Sequence, residues 1–177
     1  MKTSIPQATF CHLSTPLGEM ILALRTDTQG PGPALSGAWF VGQRHFDGPA
    51  PHWIADERHP LLREAAAQIL DWHAGRRQGF SLPIAPQGSA FQQQVWRALA
   101  DIPFGATRTY GELAAALGRP AAARAVGAAT GRNPLSLIVP CHRLVGHNGA
   151  LTGYAGGLER KRALLDFERQ HRHPQGA

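Results

Sequence analysis

Apolar and turn-forming residues alternate along the start of the chain in the pattern of a small antiparallel sheet. Two apolar runs occupy residues 8–24, with Pro16 and Gly18 between them, and this arrangement predicts a β-hairpin. Residues 26–36 hold two glycines and two prolines and predict a loop, whereas the apolar residues 37–41 predict a third strand.

A helix is expected after a proline-rich stretch that extends to Pro60. Apolar residues recur at helical spacing over residues 61–72, and Gly75 marks the end of this helix. The segment that follows, residues 79–88, is rich in proline and glycine and has the composition of a linker.

The pattern of the second half is helical. Apolar residues at residues 91–99 predict one helix. Thr109 and Glu112 have the spacing of a capping box, which predicts a helix over residues 110–117. Pro120 then stands at the first position of a further helix that consists mostly of alanine and glycine.

Two short helices joined by a tight turn outline a helix-turn-helix, whose second helix carries one large polar residue, Arg124. Asn148 and Gly149 predict a turn in the glycine-rich segment that follows, which we expect to form a small hairpin or wing. Apolar positions in residues 158–168 predict a last helix, and the polar tail from Gln170 is expected to fray.

These patterns predict an α+β protein with two domains, and charge separates them as well. Residues 1–85 form the N-terminal α/β domain and carry seven Lys/Arg and seven Asp/Glu. Residues 86–177 form the mainly helical domain and carry eleven Lys/Arg against five Asp/Glu, so the net charge of +6 belongs to this domain. Such an excess favours a polyanionic partner, and a basic protein without one is the alternative.

The composition excludes several classes of protein. An apolar fraction of 43% predicts a packed interior rather than a disordered chain. No run of about 18 apolar residues could span a membrane, and residues 1–6 lack the apolar run of a signal peptide. We therefore expect a cytoplasmic protein with no membrane partner.

The two cysteines differ in their sequence neighbours. Cys11 fits a small buried hydrophobic residue, and a disulfide with Cys141 is not expected in a cytoplasmic protein. Cys141 follows Pro140 and precedes His142 and Arg143, and cationic or hydrogen-bonding neighbours lower a thiol pKa below about 8.5. The residues alone leave a reactive thiol and a buried core residue as open interpretations. No C-x-x-C or H-x-x-x-H pair indicates a zinc site.

Residues 138–145 resemble the active-site signature of the O6-alkylguanine-DNA alkyltransferases, also called methylated-DNA–protein-cysteine methyltransferases. Further motifs similar to that family occur in the same order, so the resemblance covers residues 88–168 almost continuously. These motifs are residues 104–105, 109–113, 123–127, 131–134 and 153–158. The N-terminal half is more loosely similar, around residues 15–18, to bacterial members with this single function.

The resemblance implies a ribonuclease H-like N-terminal domain and a winged helix-turn-helix that binds alkylated double-stranded DNA in the minor groove. Arg124, which by itself fits a solvated surface charge, would enter the base stack in place of the extruded nucleotide. The other DNA-binding positions implied are Ala123, Thr109, Ala125 and Gly127.

The resemblance also implies a direct-reversal repair reaction, in which Cys141 accepts the alkyl group of O6-alkylguanine or O4-alkylthymine. His142 and Glu168 would form a relay that takes the thiol proton through water. Asn133, which by itself fits a turn, would brace the active-site segment, and Tyr110 would donate a hydrogen bond to guanine N3. Because a thioether is not hydrolysed, each molecule would react once, with no cofactor and no metal.

The implied substrate pocket consists of Tyr110, Thr130, Leu144, Tyr154, Ala155 and Gly156, with the Ala155 N–H facing the alkylated oxygen. A monomer is expected, with cooperative assembly along DNA as a further possibility. The chain departs from the family pattern at Thr109, where serine is common, and at Leu144, where valine is frequent. The rival interpretations are a DNA-binding sensor that lacks the acceptor cysteine, a regulator with a cysteine-rich metal-binding region, and a cysteine hydrolase with turnover.

Overall fold

A computed structural model describes residues 8–25 and 32–172 of the chain. Its first half contains a four-stranded sheet in the order β3-β2-β1-β4. The strands are β1 (Ala8–Thr15), β2 (Gly18–Arg25), β3 (Ala34–Phe40) and β4 (Ile54–Ala55). The antiparallel pairing of β1 with β2 across a two-residue turn confirms the predicted hairpin.

The sheet differs from the prediction at two places. β3 begins at Ala34, so the expectation of a loop is wrong for residues 34–36, because Leu35 is fully buried and pairs with β2. The remainder of that predicted loop, apart from residues 32 and 33, lies outside the described residues. The two-residue strand β4 pairs parallel with β1 inside the proline-rich stretch, where no strand was expected.

Helix α1 (Pro60–His73) confirms the prediction for residues 61–72. It packs on the sheet through β1 and β2. Its last buried residue, Trp72, reaches into the second half of the chain, where its ring lies 6.0 Å from Phe104 and 6.4 Å from His142, measured between ring centroids. The first helix therefore contributes directly to the surroundings of Phe104 and His142.

The segment predicted as a linker lies along the edge of the sheet. The backbone N–H of Leu35 donates to the carbonyl of Pro83, and the N–H of Ala85 donates to the carbonyl of Leu35, both at 2.8 Å. Buried apolar residues from both sides of this segment belong to one core. The division into domains at residues 85 and 86 stays a prediction.

The second half contains the predicted helices. They are α2 (Ala90–Ala100), α3 (Tyr110–Ala116), α4 (Ala123–Gly131) and α5 (Leu158–Gln170). The capping box at the start of α3 is confirmed, since Thr109 Oγ1 accepts from the N–H of Glu112 and the Glu112 carboxylate accepts from the N–H of Thr109. Trp96 of α2 donates its indole N–H to the carbonyl of Ala129 at 2.9 Å and so ties α2 to α4.

The start of α4 differs from the prediction. Pro120 opens a 3-10 turn, Pro120–Ala122, rather than the α-helix itself. Ala122 has a ψ of 17°, outside the α-helical region, so the regular helix begins at Ala123. The 3-10 turn and α4 both pack against α3, and the helix-turn-helix assignment itself stays a prediction.

The glycine-rich segment after Val145 contains the expected turn. Asn148 and Gly149 both adopt positive φ, 56° and 76°, within a 3-10 turn at His147–Gly149. Just before it, β6 (Leu144–Val145) pairs in parallel with β5 (Arg108–Thr109). The last five residues of the polar tail lie outside the described part of the chain. Within the described part, no helix has the length and apolar character that a bilayer crossing requires.

Candidate active site

Strand β3 holds the segment that leads to Cys141. The N–H of Ala38 donates to the carbonyl of Pro134, and the N–H of Ser136 donates back to the carbonyl of Ala38, both at 2.8 Å. The buried Leu137 adopts a φ of 72°, a left-handed conformation that costs a non-glycine residue about 1–3 kcal/mol. The surrounding hydrogen bonds therefore impose a sharp bend on the chain just before Cys141.

Asn133 spans this bend with its side chain. Its amide nitrogen Nδ2 donates to the carbonyl of Val139 at 2.9 Å, and its Oδ1 accepts from the N–H of Leu135 at 3.0 Å. Asn133 is almost completely buried, so these bonds replace contacts with water. These bonds link residues on the two sides of the bend, and the bracing role in the reaction stays a prediction.

Cys141, His142 and Arg143 form one 3-10 turn directly after Pro140. All three are buried, but they point to different partners. Cys141 lines a cavity, whereas His142 and Arg143 both contact the carboxylate of Glu168 on α5.

Glu168 is a fully buried carboxylate that accepts hydrogen bonds from three residues. His142 Nε2 lies 2.8 Å from Oε1, and Arg143 binds both oxygens through Nε and contacts Oε1 through Nη2. The N–H of Gly105 donates to Oε2 at 2.9 Å. Arg143 Nη1 donates further to the carbonyl of Ile102. The fork of Arg143 therefore fixes the carboxylate that in turn fixes His142.

The electrostatics of this group keep Glu168 ionised and His142 neutral. Burial opposes ionisation of Glu168, but the hydrogen bonds and charges of His142 and Arg143 outweigh it and lower its pKa from 4.5 to about 2. Burial lowers the pKa of His142 from its ordinary value of 6.5, although Glu168 acts in the opposite direction.

A neutral histidine that faces a carboxylate donates through the nitrogen on that side. His142 therefore carries its proton on Nε2, and Nδ1 is an acceptor. Nδ1 is buried and has no hydrogen-bond partner among residues 8–25 and 32–172. The ring thus presents an unoccupied basic nitrogen on the side away from Glu168.

Neighbouring groups do favour the thiolate of Cys141, but burial outweighs them, so the pKa of the thiol lies above its ordinary value and not below it. Burial raises the pKa of Cys141 above its ordinary value, and this effect exceeds the lowering by the Asn133 side chain, the positive charge of Lys161 and nearby backbone N–H groups. Arg143 makes its contacts with Glu168 instead. Cys141 is therefore a protonated thiol at neutral pH and needs a base to react.

Lys161 is a site residue that the sequence analysis missed. It is fully buried on α5, and its Nζ donates to the carbonyls of Leu144, Thr152 and Gly153 at 2.5, 2.7 and 3.1 Å. Burial lowers its pKa from 10.5 to about 8, while Cys141 acts in the opposite direction. Lys161, Leu164, Leu165 and Glu168 have the spacing of one helix face, and this spacing was the available signal.

A cavity of about 180 Å³ opens beside Cys141. Of the residues expected in the substrate pocket, four line this cavity: Tyr110, Thr130, Tyr154 and Ala155. Leu144 and Gly156 do not: Leu144 is buried and offers its carbonyl to Lys161, and Gly156 lies beside the ring of Tyr154. Grooves of about 690 and 610 Å³ occur elsewhere on the surface, but neither includes Cys141.

The walls of the cavity come from both halves of the chain. Gly127 and Gly131 contribute from α4, and Arg44 and His45 contribute from the loop after β3, which the sequence analysis did not associate with the site. The Tyr110 hydroxyl reaches the carbonyls of Thr152 and Gly153 at 3.0 and 3.3 Å.

The expected DNA-binding residues lie around the start of α3 and α4. Arg124 and Ala125 are exposed near the beginning of α4, and Ala123 is half-buried beside them. The Thr109 hydroxyl caps α3, and Gly127 faces the ring of Tyr110 and lines the cavity. The exposed end of α4 therefore adjoins the cavity that holds the thiol.

Both cysteines are buried free thiols. Cys11 lies in the core, as expected, and burial raises its pKa to about 11. In the described residues, no group of three His, Cys, Asp or Glu side chains could hold a metal ion.

Comparison with known proteins extends these observations. Residues 90–170 match the family described as the DNA-binding domain of 6-O-methylguanine DNA methyltransferase. A methylated-DNA–protein-cysteine methyltransferase from Methanosarcina barkeri is 43% identical over 157 residues, which cover 88% of this chain and 94% of the relative. The protein of the same name from Mycobacterium tuberculosis is 42% identical over 157 residues, 89% of this chain and 90% of the relative.

Solved structures agree with the sequence relatives. The crystal structure of Mycobacterium tuberculosis OGT in complex with DNA has a TM-score of 0.82 and 40% identity, and the match covers 92% of this chain and 94% of that chain. The crystal structure of the Mycobacterium tuberculosis O6-methylguanine methyltransferase has a TM-score of 0.80 and 39% identity, with 96% of each chain covered.

Proposed function

The chain belongs to the family of methylated-DNA–protein-cysteine methyltransferases, and we propose that Cys141 is the residue onto which it takes the alkyl group from DNA. The protein repairs alkylated DNA by transfer of the alkyl group to itself. The observation that carries the assignment to Cys141 is its position at a cavity with a His142–Glu168 pair directly behind it.

The first chemical step is removal of the thiol proton. The basic nitrogen Nδ1 of His142 takes this proton through a water molecule, and the imidazolium that forms is stabilised by the carboxylate of Glu168 at 2.8 Å. Arg143 keeps Glu168 ionised and oriented, so the carboxylate can stabilise this charge without being protonated. Lys161 and Asn133 lower the energy of the thiolate, because both favour the charged form of Cys141.

The second step is displacement at the alkyl carbon. A bond forms between Cys141 Sγ and the alkyl carbon, and the bond between that carbon and O6 breaks, leaving its electron pair on guanine. Tyr110 donates a hydrogen bond to guanine N3 and stabilises this leaving group, after its hydroxyl releases the carbonyls of residues 152 and 153. The proton held by His142 finally neutralises the base. The products are an S-alkylcysteine and an ordinary guanine.

The substrate reaches the cavity by base flipping. A base within a duplex hides its O6 atom, so the damaged nucleotide must leave the stack. Arg124, exposed at the start of α4, fills the space that it leaves, and the small side chains of Ala123, Ala125 and Gly127 allow a close approach to the minor groove. This role corresponds to a winged helix-turn-helix beside a ribonuclease H-like N-terminal domain. We further propose that the protein acts as a monomer in the cytoplasm.

The same pocket has the chemistry to accept O4-alkylthymine, since the alkylated oxygen and the acceptor thiol would meet in the same way. Leu144 and Gly156 influence the pocket indirectly, Leu144 through its hydrogen bond with Lys161 and Gly156 through its contact with the Tyr154 ring. A thioether has no leaving group that water displaces, so the alkylated protein is not regenerated.

The test is a mass measurement after incubation with a duplex that contains one O6-methylguanine. We expect a gain of one methyl group on the peptide that contains Cys141, with an endpoint equal to the amount of protein. Cys141→Ala should abolish transfer while DNA binding persists. Cys11→Ala removes the other buried thiol and is the matched control, which should react to the same endpoint as the unmodified protein.

Other outcomes separate the rival functions. Product beyond one equivalent would indicate a hydrolase, and DNA binding with no methyl transfer would indicate a sensor. A methyl group found on any residue other than Cys141 would refute the assignment.

A further inference from the structure

The loop after β3 forms part of the cavity wall although it lies almost one hundred positions before Cys141 in the chain. Arg44 and His45 both line the cavity. The backbone N–H of Arg44 donates to the carbonyl of Ala155 at 3.0 Å, so the loop is attached to the opposite segment of the pocket.

This loop is held rigidly by residues other than Arg44. The Gln43 side chain is buried, and its Oε1 accepts from the N–H of Phe40 and from the hydroxyl of Ser136, both at 2.9 Å. The ring of Phe46 stacks on Trp39 with centroids 4.3 Å apart. The loop is therefore fixed at both ends, independently of the side chains that it presents to the cavity.

The side chains of Arg44 and His45 take no part in the contacts that fix the loop. Both residues are exposed, and within residues 8–25 and 32–172 neither side chain has a hydrogen-bond or ion-pair partner. His45 adopts a φ of 64°, a left-handed conformation that is uncommon for a non-glycine residue. A guanidinium group without a counter-charge thus stands at the edge of a pocket that takes up substrate.

The proposed orientation of guanine indicates what this group meets. N3 and C6 occupy opposite positions of the six-membered ring of guanine. If N3 faces Tyr110, then O6 and its alkyl group face the wall that Ala155 and Arg44 form. In-line attack by Cys141 requires sulfur, carbon and oxygen to be collinear, so any substituent on the alkyl carbon projects sideways, toward a wall of the cavity.

We propose that Arg44 raises the reactivity of this pocket toward O6-alkyl groups that carry a carboxylate, such as carboxymethyl, relative to its reactivity toward the neutral methyl group. The inference rests on the proposed function of Cys141. The guanidinium of Arg44 acts as counter-ion to the carboxylate and positions the substituted carbon. The bonds formed and broken are those of the methyl transfer. The S–CH2 bond forms, the CH2–O6 bond breaks, the thiol proton ends on guanine, and the product is S-carboxymethylcysteine.

The experiment compares two duplexes of identical sequence, one with O6-carboxymethylguanine and one with O6-methylguanine. Single-turnover rate constants are measured for both, and the ratio of the carboxymethyl rate to the methyl rate is the readout. This ratio cancels any change in folding or in DNA binding. Arg44→Ala should lower the ratio about threefold, and Arg44→Glu about tenfold, because the sign of the charge is reversed. Arg44→Lys keeps the positive charge and should keep the ratio within about twofold.

Salt gives a second readout. An exposed ion pair is screened, so the ratio of the unmodified protein should fall between about 0.05 and about 0.5 M NaCl, whereas the ratio of Arg44→Ala should not. Arg63→Ala removes an exposed arginine of α1 that does not line the cavity, and it should leave the ratio unchanged.

An unchanged ratio in Arg44→Ala overturns the proposal. Equal loss of both rates also overturns it, since a contact with the DNA backbone would slow all duplex substrates alike. Failure of the unmodified protein to methylate Cys141 would instead refute the proposed function, so the two failures are distinguishable.

Discussion

The substitution Glu168→Gln tests the buried group behind the thiol most directly. It keeps the size of the side chain and removes the charge that hydrogen-bond donors from His142, Arg143 and Gly105 surround. Arg143, which is 7% exposed, would then carry a buried charge without its counter-ion. Breaking a buried pair in this way typically costs about 3–5 kcal/mol, and we expect a loss of unfolding free energy in that range at pH 7.

The pH dependence of stability is the sharper part of this prediction. The pKa of Glu168 is lowered from 4.5 to about 2, and this difference corresponds to about 3 kcal/mol of stability. Because the pKa in the folded state is the lower one, the contribution is fully present above pH 4.5 and is lost as the pH falls toward 2. About 2 kcal/mol should be gone at pH 3. Glu168→Gln has no such carboxylate. The difference in unfolding free energy between the unmodified protein and Glu168→Gln should therefore be smaller at pH 3 than at pH 7 by this amount.

Urea unfolding at pH 7, 5, 4 and about 3 measures this difference in unfolding free energy. Glu159→Gln, an exposed carboxylate on the same helix, is the matched control and should follow the unmodified protein at every pH. A difference that stays constant from pH 7 to pH 3 would refute the reasoning, since it would mean that Glu168 does not titrate with a lowered pKa. Transfer to Cys141 should also slow about 100-fold or more, because His142 loses its orienting charge.

Two further substitutions test the DNA interface and the buried lysine. Arg124→Ala should slow repair of a duplex at least about tenfold while free O6-benzylguanine reacts at the original rate, and equal losses on both substrates would exclude a role in base extrusion. Lys161→Met removes the donor to three buried carbonyl oxygens and should lower the unfolding free energy in urea by about 2–4 kcal/mol, whereas Arg162→Met, exposed on the same helix, should change it by less than about 0.5 kcal/mol.

Local signals predicted most of the secondary structure. The capping box at Thr109 and the apolar spacing of α1 depend on neighbouring residues, so they can be read from the sequence. The start of β3 and the two residues of β4 could not, because their strand conformation depends on partners in β2 and β1. Local composition at residues 34–36 indicates a loop, and burial of Leu35 in the sheet overrides it.

The site shows the same limit at the level of side chains. The motif around Cys141 identifies the thiol and His142 as candidate site residues, and the family resemblance identifies Glu168. The direction of Arg143, toward Glu168 rather than the thiol, follows only from the packing of α5 against the 3-10 turn. Arg44 joins the cavity through a contact with Ala155, more than one hundred residues further along the chain, and no local pattern signals such a contact.

The buried thiol and the relay behind it suit a protein that reacts once. Reactive cysteines that turn over usually combine exposure with a lowered pKa. Cys141 has the opposite properties, because burial raises its pKa and leaves it protonated. The His142–Glu168 pair is nevertheless assembled before substrate arrives. We infer that the reaction begins only when a damaged base enters the cavity, because its alkyl carbon then lies beside the sulfur of Cys141. Reaction with another electrophile would inactivate the protein before it met damaged DNA, and a protonated, buried sulfur limits such reactions.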